Sequence, residues 1–347
     1  MRLAQPVAIG ARLSEISRTV RIRHTPPSPA IDRPSPMTPG AVRAFAPGST
    51  GNIGPGLDIL GCALTGLGDA VVARISEEPG VRVDDPGHPD LSPDPTRHAS
   101  AIAAAAVLRF ANAKTGVVLS VEKRLPLAGG QGGSAASAVA GAVATNALLG
   151  SPLGTGDLLR AALVAEERLA GRHIDNLAPS LLGGILLIRA VDPVDIVRLP
   201  VPDGLRIVLA YPHMQLRTTD ARAVLPASID RADAIAQAAA VATIVAALYS
   251  GNLSLLRGAI DDRIAEPARA PLLPGFNAAK AAALDAGALG SSISGGGPTA
   301  FALTDGDASA HDVMNAMLAA YESHGITATG RIARVDEQGA RVDAVTA

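Results

Sequence analysis

The sequence predicts an α+β protein of two domains. Its 347 residues are enough to build two hydrophobic cores. Short segments rich in β-branched residues alternate with longer apolar segments of helical character along most of the chain. A proline-rich segment at 192–204, DPVDIVRLPVPDG, separates two halves of this kind and is interpreted as a linker. We therefore expect an N-terminal domain at 41–203 and a C-terminal domain at 204–347.

Residues 1–40 differ from the rest of the chain. They contain six arginines against Glu15 and Asp32, and HTPPSPAIDRPSPMTPG at 24–40 has no hydrophobic periodicity. Such a composition predicts a disordered extension. Two interpretations stay open for it: an organellar transit peptide, or an upstream stretch with the true start at Met37.

From Val42 onward the patterns predict the elements in order. Alternation and β-branched residues predict strands, and apolar runs between turn residues predict helices. The predicted strands are 41–47, 68–78, 116–126, 183–190, 205–212, 291–303 and 329–336. The predicted helices are 96–113, 134–149, 156–170, 232–248, 252–265, 277–286 and 308–323.

Composition and charge limit the classes of function. The formal net charge is −2, so nothing in it points to a nucleic acid or an anionic membrane. A single cysteine, Cys62, excludes a disulfide within the chain and fits a reducing compartment. No uninterrupted apolar run of membrane-spanning length and no secretory signal stand out. We expect a cytoplasmic protein that binds neither nucleic acid nor membrane.

A glycine-rich loop opens the predicted helix at 134–149. The sequence GGQGGSAAS lets backbone approach a ligand closely, and the N–H groups of the following helix start converge there. Ser134 stands where it could cap the helix or reach a cation bound to phosphate. Neither the P-loop nor the dinucleotide-binding spacing is present. From the loop alone, an anion site and a tight helix–strand turn are both open.

Two other glycine-rich segments favour the anion site over the tight turn. They are APGSTGNIGPGLDILGCAL at 46–64 and SSISGGGPTAFAL at 291–303. With the loop, they resemble the three motifs of the GHMP small-molecule kinases. The first segment is similar to the homoserine kinase version, N-x-G-x-G-[FL]-D, and lacks the G-E-H of galactokinase and mevalonate kinase. Further segments match in the same order, and the resemblance covers 42–335. They are HIDNLAPSLLGGILLI at 173–188, TTDARAVLP at 218–226 and EPARAPLLPGF at 266–276.

The resemblance implies a two-domain GHMP kinase fold. Its N-terminal part is a ribosomal-protein-S5-like α/β domain, its C-terminal part is a ferredoxin-like α+β domain, and ATP binds near their junction. It also implies a homodimer. Ser134 and Glu166 would hold Mg²⁺, with Glu167 as an alternative to Glu166. The implied ATP-binding residues are Leu127, Ala128, Gly129, Gly130, Gln131, Gly132, Gly133, Ser134, Ala135, Gly295 and Gly296.

The resemblance further implies phosphorylation of L-homoserine to O-phospho-L-homoserine, a step toward threonine. Asp58 would bind the ammonium group, Arg222 and Arg269 the carboxylate, and Asn52 would lie near the reacting hydroxyl. The implied substrate-binding residues are Asn52, Asp58, His173, Asn176, Thr218, Arg222 and Arg269. The implied catalytic residues are Asn52, Ser134 and Glu166. No general base is named, because no Asp–Lys constellation stands out in the sequence.

One departure from the family and two rival functions stay open. Gln131 stands where the family commonly has leucine, so it could contact a phosphate or face solvent. A GHMP kinase for another alcohol, of isoprenoid or shikimate type, would be expected to lack the charge set of Asp58, Arg222 and Arg269. A non-catalytic protein with this fold would be expected to have a broken loop or no metal carboxylate.

Overall fold

The computed structural model describes residues 21–23 and 40–343. The N-terminal half builds a sheet around one long strand. Its strands are β1 (Arg21–Arg23), β2 (Ala41–Gly51), β3 (Leu60–Ser76), β4 (Gly80–Asp85), β5 (Gly116–Glu122), β6 (Ile185–Val191), β7 (Val194–Leu199) and β12 (Arg341–Asp343). The order is β1-β7-β6-β3-β2-β12, and β5 pairs with β3 while β4 pairs with β5.

Four helices cover this sheet: α1 (Ala99–Phe110), α2 (Gly133–Leu148), α3 (Thr155–Leu169) and α4 (Leu177–Leu182). Helix α2 contacts β2, β3, α1 and α3 and is buried along most of its length. Its residues are mainly alanine, glycine and valine, because neighbours on several sides leave room only for small side chains. The start of α2, with the glycine loop before it, is therefore held in place by the core.

The second sheet is antiparallel in the order β11-β8-β10-β9. Its strands are β8 (Leu205–Pro212), β9 (Gly290–Ile293), β10 (Ala300–Asp305) and β11 (Ala328–Ala333). Helices α8 (Phe276–Asp285) and α9 (Asp307–Ser323) pack on it through a core that includes Phe276 and Tyr321. The remaining helices are α5 (Thr218–Ala223), α6 (Arg231–Ser250) and α7 (Ala265–Arg269).

A shared hydrophobic cluster joins the two sheets. Leu60 and Ile185 of the first sheet pack in one cluster with Leu209 and Phe301 of the second and with Ile244 of α6. Leu60 and Phe301 belong to the first and third glycine-rich segments, so these two segments meet at a packed junction. The domain limits at 203 and 204 stay a prediction, and β12 returns from the end of the described chain to pair with β2.

The predicted linker at 192–204 is wrong in part. Residues 194–199 form β7, which pairs with β6 and β1. The flanking Pro193, Pro200 and Pro202 gave the segment the composition of a linker, whereas VDIVRL between them alternates like a strand.

The predicted helix at 252–265 is also wrong. The chain makes a single 3₁₀ turn at Leu253–Leu256 and continues as a loop up to α7. The Asp262 carboxylate accepts hydrogen bonds from the backbone N–H groups of residues 264, 265 and 266. Such bonds from a short acidic side chain compete with helical ones, so they favour a new helix start at α7 over continuation of a helix.

Part of the predicted disordered extension is ordered. Residues 21–23 form β1, parallel to β7, and Arg23 pairs with Asp195 at 3.3 Å. This backbone and charge pairing covers the edge of β7, which the composition of the segment did not reveal. The other residues of the predicted extension, 1–20 and 24–39, lie outside the described residues.

Helix α6 is the one helix among the described residues with the length and composition of a membrane span. Its mean hydropathy is 1.6, and 22% of it is buried. One such helix is a weak indication, because helices of soluble proteins pass the same criterion. The absence of a membrane span stays a prediction.

Candidate active site

The glycine loop forms one wall of a cavity of about 290 Å³. Gly132 adopts a left-handed conformation, φ 67°, at the N-cap of α2, and a Cβ there would lie 2.1 Å from Ser49 Oγ. Only glycine fits this position. The predicted ATP residues that line the cavity are Leu127, Ala128, Gly129, Gly130, Gly132, Gly133, Ser134, Ala135, Gly295 and Gly296.

The loop carbonyls bond to protein. The Gly129 carbonyl accepts from Thr299 Oγ1 at 2.5 Å, and the Gly130 carbonyl accepts from Ser294 Oγ at 2.6 Å. The Gln131 carbonyl accepts from Ser49 N at 3.1 Å. The N–H groups of the first turn of α2 have no acceptor within the helix, so they are available to a ligand at the loop. A concave set of N–H groups at a helix start suits phosphate.

Ser134 does not cap α2, because the helix begins at Gly133 with Gly132 as its cap. The Ser134 side chain is exposed and lines the cavity. Its hydroxyl is thus available to a ligand at the phosphate loop.

Glu166, rather than Glu167, faces the cavity. Glu166 is 5% exposed, and its Oε2 has no hydrogen-bond partner among the described residues. Burial raises the pKa of its carboxyl to about 7. Glu167 is exposed and pairs with Arg172 at 3.3 Å. A buried carboxylate oxygen without a partner, beside a phosphate loop, fits a divalent cation.

A buried Asp–Lys pair lies behind the loop, and sequence reasoning missed it. Lys123 Nζ donates to Asp69 Oδ2 and, at 2.8 Å, to the carbonyl of Gly133 in the first turn of α2. Asp69 also accepts from Ser137 Oγ and from the backbone N–H groups of Arg124 and Leu125. Both of its oxygens are occupied, so Asp69 supports the loop and is not arranged as a free base.

Four of the predicted substrate residues lie around the backbone carbonyl of Gly295. Asn52 Nδ2 and Arg269 Nη1 each donate to the Gly295 carbonyl at 3.0 Å. Asn52 Oδ1 accepts from Asp58 N, and Asp58 forms a two-bond ion pair with Arg222. Both Asn52 and Asp58 have positive φ, 69° and 61°. Asn and Asp tolerate this region better than other residues, and such strained positions cluster at functional sites.

His173 lies between two carboxylates. Its Nε2 is 3.6 Å from Glu166 Oε1, and its Nδ1 is 3.3 Å from Asp175 Oδ1. Burial lowers the pKa of His173, but the carboxylates of Asp175 and Glu166 outweigh it and the net shift is upward. Among the described residues, neither ring nitrogen has a hydrogen bond of good geometry. Asp58, His173 and Asp175 offer ligand atoms within 4.8 Å of one another.

The other predicted residues fall into two groups. His173, Asn176 and Thr218 line the cavity, and Asn176 Oδ1 accepts from Ser49 Oγ at 3.0 Å. Gln131 does not line it. The Gln131 side chain does not face solvent, because it is 5% exposed and bonds to Thr299 and Arg331, and its contact with a phosphate stays a prediction.

Sequence reasoning missed Asp175 as well as the pair of Asp69 and Lys123. Asp175 stands inside the HIDN segment, so its acidic side chain beside His173 was a usable signal. Asp69 and Lys123 are 54 residues apart, and nothing local links them.

Comparison with known proteins agrees with this geometry. The GHMP kinases N terminal domain matches residues 99–184, and the GHMP kinases C terminal domain matches residues 244–323. The homoserine kinase of Arabidopsis thaliana is 39% identical over 314 residues, covering 87% of this chain and 84% of that one. The homoserine kinase of Chlorobaculum tepidum is 38% identical over 322 residues, covering 88% of this chain and 99% of that one.

A solved structure supports the same assignment. The crystal structure of homoserine kinase from Cytophaga hutchinsonii superposes with a TM-score of 0.85 and 37% identity, covering 90% of this chain and 100% of that one. The predicted two-domain GHMP kinase fold is therefore confirmed. The chain belongs to the GHMP kinase family, among its homoserine kinases.

Proposed function

We propose that the chain transfers the γ-phosphoryl group of ATP to the side-chain hydroxyl of L-homoserine. The products are ADP and O-phospho-L-homoserine, an intermediate on the way to threonine. The main observation behind this proposal is that the phosphate loop and the charge set of Asp58, Arg222 and Arg269 contact the same segment. Ser294 bonds to the loop at Gly130, and Arg269, next to the Asp58–Arg222 pair, bonds to Gly295. A triphosphate at the loop and an amino acid at the charge set would thus lie side by side.

The loop N–H groups and the start of α2 would bind the phosphates of ATP. Ser134 and Glu166 would hold Mg²⁺, and Glu166 Oε2 supports this because it is buried without a partner. When bound, Mg²⁺ would offset the negative charge of the β- and γ-phosphates. Positioning and charge stabilisation do most of the work in phosphoryl transfer, so these residues suffice for much of it.

The charge set suits a zwitterion. Asp58 would bind the substrate ammonium group, and Arg222, now paired with Asp58, would turn to its carboxylate. Arg269 uses Nε and Nη1 on the carbonyls of Ala221 and Gly295, which leaves Nη2 for the same carboxylate. The zwitterion would thus replace each partner of the resident ion pair, and the charge of the pocket would stay balanced.

The Asn52 carboxamide would orient the substrate hydroxyl. His173 and Asn176 would line the same pocket, and Thr218 would offer a hydroxyl contact at its entrance. No general base is assigned, since both oxygens of Asp69 are occupied. The homodimer and the cytoplasmic location stay predictions.

The test is an assay of ADP release by the purified chain with ATP and Mg²⁺. L-Homoserine is offered beside L-serine, L-threonine, shikimate and mevalonate. We expect turnover with L-homoserine in large excess over the other four. Turnover with shikimate or mevalonate instead would contradict the assignment of Asp58, because neither carries an amino group. ATP binding without any turnover would favour a non-catalytic protein of this fold.

A further inference from the structure

The Gln131 side chain connects the phosphate loop to the second sheet. Its Nε2 donates to Thr299 Oγ1 at 3.2 Å, and its Oε1 accepts from Arg331 Nη2 at 3.1 Å. Thr299 lies just before β10, and Arg331 lies on β11. The carboxamide therefore reaches from a loop of the first half to two elements of the second.

The same connection continues back into the loop. Thr299 Oγ1 accepts from Gln131 and donates its own proton to the Gly129 carbonyl at 2.5 Å. One hydroxyl thus holds the Gln131 side chain and the Gly129 carbonyl, and it fixes the direction of the peptide plane between Gly129 and Gly130. Peptide orientation decides where the loop N–H groups point.

Arg331 depends on Gln131 for one of its bonds. Its Nη1 donates to the Thr65 carbonyl at 2.6 Å, and its Nη2 donates to Gln131 Oε1. No carboxylate of the described residues pairs with Arg331. Burial of this guanidinium lowers its pKa to about 10. Arg331 is half-buried, so loss of the Gln131 oxygen would leave a partly buried donor without this partner.

We propose that Gln131 is a positioning residue for the nucleotide, which acts by tying the phosphate loop to Thr299 and Arg331. The proposal rests on the proposed function, in that the loop binds ATP. A leucine at this position could make neither bond.

The experiment uses Gln131→Leu and Thr299→Val, which break the bridge from opposite sides. Thr304→Val is the matched control, because Thr304 is a buried threonine of β10 whose hydroxyl has no partner among the described residues. The Kd of ATP–Mg²⁺ is measured by calorimetry without homoserine, and KM and kcat are measured beside it. We expect Gln131→Leu and Thr299→Val each to raise Kd and KM for ATP about tenfold, with kcat changed less, and Thr304→Val to leave them within about twofold.

A double variant separates positioning from stability. Gln131→Leu combined with Arg331→Leu removes the guanidinium that Gln131→Leu leaves without an acceptor, but it also takes the donor from the Thr65 carbonyl, so it should recover part of the Tm lost in Gln131→Leu. If Gln131 positions the loop, ATP affinity stays weak in the double variant. Recovery of both Tm and affinity would overturn the proposal, because the bridge would then be merely structural.

Two further outcomes would also overturn it. Weaker binding in Gln131→Leu but not in Thr299→Val would mean that Gln131 contacts the phosphate directly. A Kd for Gln131→Leu within about twofold of the unaltered chain would mean that the bridge does not matter. Failure of the proposed function is distinguishable from both, because the unaltered chain itself would then fail to bind ATP or to phosphorylate homoserine.

Discussion

At the scale of single residues, the candidate site combines exposed and buried polar groups with different tasks. Ser134 offers its hydroxyl to the cavity, while Glu166 and Arg269 are almost fully buried. Burial makes the last two sensitive to any loss of a partner. Their substitutions should therefore affect both ligand binding and stability, and the two effects must be measured separately.

Replacing Ser134 by alanine removes one donor or ligand at the phosphates and leaves the loop backbone intact. We expect kcat to fall by about 10²-fold or more, comparable with the loss of one donor that acts in a transition state. Steady-state kinetics measure this, and Ser323→Ala, an exposed serine at the end of α9, is the control. A Ser134→Ala kcat within about twofold of the unaltered chain would remove Ser134 from the mechanism.

Arg269→Lys keeps the positive charge but loses the planar fork that reaches two carbonyls and that would bind the substrate carboxylate in the proposed function. We expect KM for homoserine to rise about tenfold or more while KM for ATP changes by less than about twofold. An equal rise of both KM values would indicate that Arg269 has a structural task only.

The buried Glu166 carboxyl should make the stability of the metal-free protein depend on pH. Its folded pKa of about 7 exceeds the ordinary value of 4.5, so the folded chain holds this proton where the unfolded chain has lost it. The free energy of unfolding should therefore fall by a few kcal/mol as pH rises through this window. Thermal unfolding in EDTA between pH 5 and pH 8, roughly the window in question, should show a shallower decline for Glu166→Gln. Identical slopes for the two proteins would contradict the buried position of this carboxyl.

At the scale of elements, α2 depends on charges at its start. Lys123 is 4% exposed and Asp69 is 0% exposed as side chains. Lys123→Met leaves the Asp69 carboxylate buried without its cation, and loss of one partner of a buried pair costs about 3–5 kcal/mol. Urea unfolding measures this, and Arg172→Met, at the exposed pair with Glu167, should cost less than about 1 kcal/mol. Equal costs for the two variants would show that water screens the Asp69–Lys123 pair.

The elements that could be predicted are the ones with a local pattern. Strand β8 was predicted at its observed bounds, 205–212, because LRIVLAYP is apolar apart from Arg206 and rich in residues that favour strands. Helix α2 was predicted to within one residue at each end, since the glycine loop marks its start. The predicted helix at 252–265 was wrong because Asp262 accepts hydrogen bonds from three backbone N–H groups. Composition does not decide between a continued helix and a new helix start at α7.

The site residues that belong to sequence motifs could be predicted. The contacts that form only when distant segments fold together could not. Ten of the predicted ATP-binding residues line the cavity, whereas no residue of the first glycine-rich segment, 46–64, does. The Asp69–Lys123 pair and the Gln131 bridge depend on partners 54 to 200 residues away. Such contacts exist only after the sheets have formed and leave no local pattern, so they cannot be predicted from a single sequence.

At the scale of the whole molecule, the two halves are joined by a shared core and by the last strand. Strand β12 pairs with β2, Asp343 pairs with Arg43, and Arg341 lies over the Phe45 ring at 4.3 Å from its centroid. A chain ending at Ala340 loses these contacts while keeping every candidate site residue. We expect its free energy of unfolding to fall by about 1–3 kcal/mol, with KM values unchanged.

Chemical unfolding and kinetics of this truncated chain test the prediction, and a chain ending at Asp343 is the control because it keeps β12. A truncated chain as stable as the control would show that β12 adds nothing to the first sheet. A loss of activity at full stability would instead place the C-terminal strand in the catalytic machinery.

The position of β12 also bears on synthesis. The ribosome makes the paired part of β2 300 residues before β12, as the pairing of Arg43 with Asp343 shows, and N-terminal segments generally fold first as they emerge. The outer edge of β2 in the nascent first sheet therefore stays unpaired until β12 has left the exit tunnel. An open strand edge invites pairing with a neighbouring chain. Stalled or prematurely terminated chains that lack β12 would therefore keep this edge of β2 open to such pairing.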